Sequence, residues 1–164
     1  MDFNYAIEKL KKGYKLAQLE WENGYALGCV EEDDNVWTWS LNDKGELVRH
    51  IEEEKPQIWD CTNSDTETLR WVIAKRFKKK YLNKLGFIYD EDSNLYRNMT
   101  GVLLKVIKKE NKTYKIIFVN SCFTRTNTIN FHFIHEFINW SRSQGIVLPI
   151  VIQEDCIEEF FKKN

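Results

Sequence analysis

Proline is nearly missing from this chain, with 2 in 164 residues, and glycine is sparse, with 7. The glycines do not form a phosphate-cradling loop: neither a GxGxxG nor a Walker pattern occurs, which excludes the glycine-loop nucleotide enzymes. Four cysteines, Cys29, Cys61, Cys122 and Cys156, stand far apart, without the paired spacing of a zinc site. Residues 1–5 lack the basic and then apolar layout of a secretion signal, so these are expected to be reduced thiols in a cytoplasmic protein. No apolar run approaches the roughly 18 residues of a membrane span, and no membrane partner is expected. A nucleophile elbow is missing too. His132, His135 and Glu136 are the nearest approach to a metal set, but no further ligand accompanies them, and Asn139 and Arg142 continue the same helical face. Asp60, Asp65 and the run 52–54 read as exposed loop charges, not as acids tuned by burial. No catalytic residue, metal or cofactor is assigned, and the chain is not expected to be an enzyme.

What the chain does have is apolar matter for a core, 43% of its residues, and 30% charged residues to coat it. Its length fits one ordinary domain or two small ones. The net charge of −1 conceals an asymmetry: residues 1–74 hold 8 Lys/Arg against 16 Asp/Glu, and residues 75–164 hold 16 against 9. Two domains are expected on that division, an acidic, tryptophan-rich one over 1–74 and a basic one over 75–164. Opposite charge either docks the halves on each other or directs each to its own partner.

Phe3, Ala6, Ile7 and Leu10 repeat at helical spacing, and Gly13 stops them. Strands are expected over 14–21, 25–30, 36–41 and 46–51, with tight turns at Asn23-Gly24 and 42–45, a solvated turn at 31–35 and a loop at 52–56. Ser64 and Glu67 have capping-box spacing. Leu69, Val72, Ile73, Phe77, Tyr81 and Leu85 then recur at threes and fours, which predicts one helix over 64–86, ended by Gly86 and joining the two domains. Beyond it come two hairpins, one turning at 90–93 and one at 110–112, and a polar loop from Ser121. A buried helix is predicted from Asn127 or Thr128 to Gln144, with Gly145 as its stop. An edge strand or connector over 146–152, containing Pro149, and a short helix over 154–162 close the chain. The fold class is α+β: small antiparallel sheets, each packed with helices, in two small domains joined by a helix.

Five of the six tryptophans, Trp21, Trp37, Trp39, Trp59 and Trp71, fall in the first 71 residues. Such rings either build a core or line a slot where a nucleobase stacks, at roughly 1–3 kcal/mol per base. Trp37 and Trp39 share one face of their strand, because side chains alternate. In the basic run, Lys75, Arg76, Lys78, Lys79 and Lys80 interleave with Phe77 and Tyr81. That surface either draws nucleic acid or an acidic protein by long-range attraction, or neutralises the acidic half of the same chain.

The first half also resembles a family of small phage proteins that defeat the Thoeris defence system by sequestering its cyclic nucleotide signal. Phe3, Ala6, Ile7, Leu10 and Gly13, followed by Leu16 and Trp21, look like that family's first helix and strand. Ser64-Asp65, Leu69 and Trp71-Val72-Ile73 are similar to its closing acidic helix and tryptophan strand. The resemblance implies a compact α+β sponge domain, often oligomeric, that binds without catalysis. It also implies a strand over 70–74, where periodicity implies helix. Gln18 stands where the family has arginine, and Arg70 where it has an acidic residue. The expected ligand-binding residues are Gln18, Trp21, Trp37, Trp39 and Trp71. The expected partner-binding residues are Lys75, Arg76, Lys78, Lys79 and Lys80. Together they suggest a phage or mobile-element counter-defence protein in the host cytoplasm. Its partner would be a bacterial immune effector or the cyclic nucleotide signal; direct effector inhibition of the anti-CRISPR kind and nucleic-acid binding are the alternatives.

Overall fold

The computed structural model describes residues 1–21, 24–30, 33–62, 65, 67, 70–109, 114–119 and 127–148. They fall into two compact units, Met1–Lys75 and the described part of Arg76–Ile150. Each unit is built on a five-stranded antiparallel sheet with helix beside it, which is the small α+β class the sequence predicts.

In the first unit, helix α1 (Phe3–Lys11) starts at Asp2, whose Oδ1 accepts the Tyr5 N–H at 2.9 Å. Gly13, at φ +81°, follows its end in the left-handed conformation that glycine takes most easily. The strands are β1 (Leu16–Gln18), β2 (Ala26–Val30), β3 (Asp33–Leu41), β4 (Leu47–Arg49), β5 (Ile51–Glu52), β6 (Lys55–Pro56) and β7 (Trp71–Ile73). Five of them form a sheet in the order β4-β3-β2-β1-β7, while β5 and β6 pair as a hairpin. Ala6 and Leu10 of α1 pack on Leu16, Leu27 and Trp71, all exposed by 2% or less. Strand β7 lies beside β1, with Trp71 opposite Gln18. On its other side the Met1 ammonium donates to the Trp71 carbonyl at 3.0 Å, and the Trp71 N–H donates to the Met1 carbonyl at 3.2 Å.

Several expectations are corrected here. The helix over 64–86 does not form across its middle: Trp71–Ile73 is a strand, and residues 74–78 carry no helix, Arg76 forming an isolated bridge with Phe133. The threes and fours of its apolar residues fit a helix, but Trp71 and Val72 are buried on opposite faces of a strand, so no alternation marks it. Asp65 and Glu67 do take helical backbone. The carboxylate that reaches back is Asp65, whose Oδ2 accepts from the Thr62 N–H at 2.9 Å and the Thr62 hydroxyl at 2.8 Å. Residues 33–35, expected in a turn, belong to β3, and 52–56, expected as a loop, is the β5–β6 hairpin. Asn23, Ser64, Leu69, the turn at 110–112, the loop from Ser121, Pro149 and the helix over 154–162 lie outside the described residues.

In the second unit a short helix, α2 (Tyr81–Lys84), leads into β8 (Phe87–Asp90), β9 (Leu95–Asn98), β10 (Leu103–Lys108), β11 (Tyr114–Val119) and β12 (Asn127–Phe131), followed by α3 (Ile134–Ser143). Successive strands pair in a meander, β12-β11-β10-β9-β8. The helix predicted from Asn127 is therefore too long at its start. Residues 127–131 pair with β11, Phe131 opposite Tyr114. Helix α3 begins after Phe133, where the Glu136 carboxylate accepts the backbone N–H groups of His132 and Phe133 at 2.6 and 3.1 Å. Phe137 of α3 meets Phe77, Phe87 and Phe131 with ring centroids 5.4–5.9 Å apart, and these rings form the core.

Candidate anion-binding groove

The five residues expected to bind a nucleotide in the first unit do not converge on one slot. Gln18 and Trp71, paired across β1 and β7, share the face that α1 covers. Gln18 Nε2 donates to Asp65 Oδ1 at 2.5 Å, and the Trp71 indole N–H donates to the Asp65 carbonyl at 3.2 Å. Trp71 is 1% exposed, and Trp21, Trp59 and Phe3 surround its ring at centroid distances of 5.8–6.3 Å. Trp71 is therefore core, Trp21 flanks it, and Gln18 and Asp65 fasten the segment that leads into β7.

Trp37 and Trp39 occupy the opposite face, where strand register sets them beside small residues: Gly28 opposite Trp37 and Ala26 opposite Trp39. The room left there holds the Trp39 indole, which donates to the Gly28 carbonyl at 3.1 Å, and the Lys15 side chain, whose ammonium lies 3.8 Å from the centroid of that ring. Burial pulls the Lys15 ammonium below the usual lysine range, with Cys29 opposing the shift. Arg49 stacks over Trp37 at 5.2 Å. Two indoles with a cation on each thus lie on one sheet face.

The second unit gathers more charge. An open groove of about 470 Å³ is lined by Arg76, Phe77, Lys78, Lys79, Lys80, Lys108 and Tyr114. Five of these seven residues are cations, and the local backbone explains how they gather. Phe77 is 2% exposed and wedged among Tyr114, Phe131 and Phe137, while its N–H donates to the His132 carbonyl at 2.9 Å and Arg76 bridges Phe133. With Phe77 anchored, its neighbours Arg76 and Lys78 fall on the other side of the backbone, Arg76 half-buried and Lys78 exposed. Tyr81 and Leu82, both buried, fix the far end of the run. Lys108 and Tyr114 arrive opposite one another from β10 and β11.

Among the described residues no carboxylate forms an ion pair with Lys78, Lys79, Lys80 or Lys108. Lysines held together without paired carboxylates repel, so the groove favours an anion that relieves them. Burial lowers the Arg76 guanidinium, with Tyr114 opposing the shift, and arginine remains charged at neutral pH in any case.

The basic run of the sequence is thus brought together, apart from Lys75, which ends the first unit and does not line the groove. Lys108 and Tyr114 were not singled out from sequence, because only the β10–β11 pairing carries them there. His132, His135 and Glu136 form no metal cluster among the described residues, and Glu136 is spent on the start of α3. No described helix is long and apolar enough to cross a membrane. No protein-family model, no curated protein and no solved structure matches the chain.

Proposed function

We propose that this protein acts by occupancy, not turnover, holding a phosphate-bearing ligand in the groove of Arg76, Lys78, Lys79, Lys80 and Lys108. The one observation that carries this is five cations lining a single open groove with no carboxylate paired to its lysines among the described residues. In the setting that the first unit's resemblance implies, such capture is counter-defence in an infected bacterium. The target is either the cyclic nucleotide signal of an immune system or an immune effector carrying nucleic acid. The strand at Trp71–Ile73 supports that setting, since the resemblance implies a strand where periodicity implies a helix.

Calorimetry of the whole chain against cyclic ADP-ribose-type nucleotides and short oligonucleotides tests the proposal. Binding of either is expected to weaken steeply with salt, and Lys78→Glu with Lys80→Glu is expected to abolish it while leaving the thermal melt in place. Steady conversion of the added nucleotide by pure protein would overturn it. So would binding that ignores both salt and charge reversal.

A second reading, a nucleic-acid-binding accessory protein outside immunity, is favoured by the openness of the groove, which leaves room for a chain to pass through. Retention of host nucleic acid in the absence of any immune effector separates it from counter-defence.

A further inference from the structure

Next to the groove lies an aromatic pair that the phosphate reading does not use. Tyr89 of β8 and Tyr96 of β9 face each other across the hairpin, with centroids 5.0 Å apart. Tyr96 is 6% exposed and Tyr89 is 37% exposed, so Tyr89 is the ring that solvent reaches. Its hydroxyl donates to Asn94 Oδ1 at 2.7 Å, which holds the ring in place, and Asn94 itself sits at φ +54° in the hairpin turn. Burial, with Tyr89 and Tyr114 adding to it, pushes the Tyr96 phenol above its usual range.

Lys79 connects the pair to the groove. It lines the groove, yet its ammonium lies over both rings, 4.8 Å from the Tyr89 centroid and 5.4 Å from that of Tyr96. An exposed cation–π contact contributes only about 0.5–1 kcal/mol, less than a phosphate contact and a stacked base together. A strand entering the groove can therefore draw Lys79 onto a phosphate and leave the face of Tyr89 to a base.

Charge counting points the same way. A cyclic nucleotide with two phosphates brings about two negative charges, whereas the four groove lysines alone match roughly four consecutive phosphates. A duplex cannot offer a base face, because its bases are stacked within the helix.

We infer that the groove takes single-stranded nucleic acid, with phosphates along Arg76, Lys78, Lys80 and Lys108 and an unpaired base stacked on Tyr89 once Lys79 has moved to the backbone. This rests on the proposed phosphate site and adds to it the class of ligand and the residue that reads the base. The acidic turn Asp90-Glu91-Asp92 bounds this end of the path. There Ser93 and the Asp92 N–H donate to the Asp90 carboxylate at 2.7 and 3.1 Å.

Fluorescence anisotropy on the full chain tests the inference with two labelled probes of equal length and charge, a ten-nucleotide thymidine strand and its abasic counterpart. The thymidine strand is expected to bind about five-fold or more tightly than the abasic one. Tyr89→Ala is expected to bring its affinity down to the abasic value while leaving abasic binding unchanged, and Tyr89→Phe to preserve the difference. Equal affinity of the two probes for the unaltered protein would overturn the inference and leave the phosphate site standing. Loss of abasic binding in Tyr89→Ala, with a lowered thermal midpoint, would mark the ring as structural and also overturn it. Failure of both probes to bind at low salt would remove the phosphate site along with it.

Discussion

Trp71 illustrates how far a single residue can be read from sequence. Its ring can serve as core or as a stacking surface, and its neighbours decide the matter: Phe3, Trp21 and Trp59 press on it, and its indole N–H has found the Asp65 carbonyl. Trp71→Ala is expected to cost about 3–5 kcal/mol, the usual range for emptying a buried aromatic site, measured as a lowered urea midpoint. A midpoint unchanged within error would mean that the ring is not core. Gly28 carries a different kind of constraint, invisible without the register of β1 and β2. A Cβ there would run into the Lys15 side chain, but the atoms it meets are that chain's flexible end. Gly28→Ala is therefore expected to change stability by no more than about 1 kcal/mol while pushing Lys15 off Trp39. Released from burial, the Lys15 ammonium should titrate closer to the ordinary lysine value, which an NMR titration of its ε-methylene reads directly.

At the scale of elements, periodicity succeeded where one face was dry and the other wet, and failed where both were dry. Helix α1 shows its stripe plainly, because Ala6 and Leu10 are buried while its other side faces solvent. Strand β7 has Trp71 and Val72 on opposite faces, both covered, and so resembles a piece of helix when only apolar spacing is counted. The apolar spacing also runs β12 into the helix that follows it; Glu136, which accepts from the Phe133 N–H, marks the true start. The β5–β6 hairpin carries no turn signal for a third reason. Its turn places Glu53 and Glu54 at φ +49° and +66°, a left-handed pair that glutamate seldom adopts and that asparagine and glycine favour. Replacing them, Glu53→Asn with Glu54→Gly, is expected to raise stability by about 1 kcal/mol by relieving left-handed strain. A thermal midpoint that stays the same or falls would show that the turn is held by something other than local preference.

At the scale of the whole molecule, a net charge of −1 and an isoelectric point near 6.3 describe a nearly neutral protein. An average of this kind says little about affinity for polyanions, because attraction falls off within a Debye length of roughly 8 Å at physiological salt. What a polyanion meets in the groove is the local set, Arg76, Lys78, Lys79, Lys80 and Lys108, and it is their charge, not the average over the chain, that acts at that distance. Four members of the set are legible as a run in the sequence. Lys108, distant in sequence and carried in by β10, is not, nor is the anchoring of Phe77 between Arg76 and Lys78. The expected outcome is that the chain binds immobilised heparin at neutral pH and elutes only well above physiological salt, despite its overall negative sign. Lys108→Glu, which leaves the sequence run intact, should lower the eluting salt about as much as Lys80→Glu, since each removes one cation from the same groove. If Lys80→Glu shifts elution and Lys108→Glu does not, the run acts as a linear basic peptide and the strand-built wall of the groove contributes nothing to it.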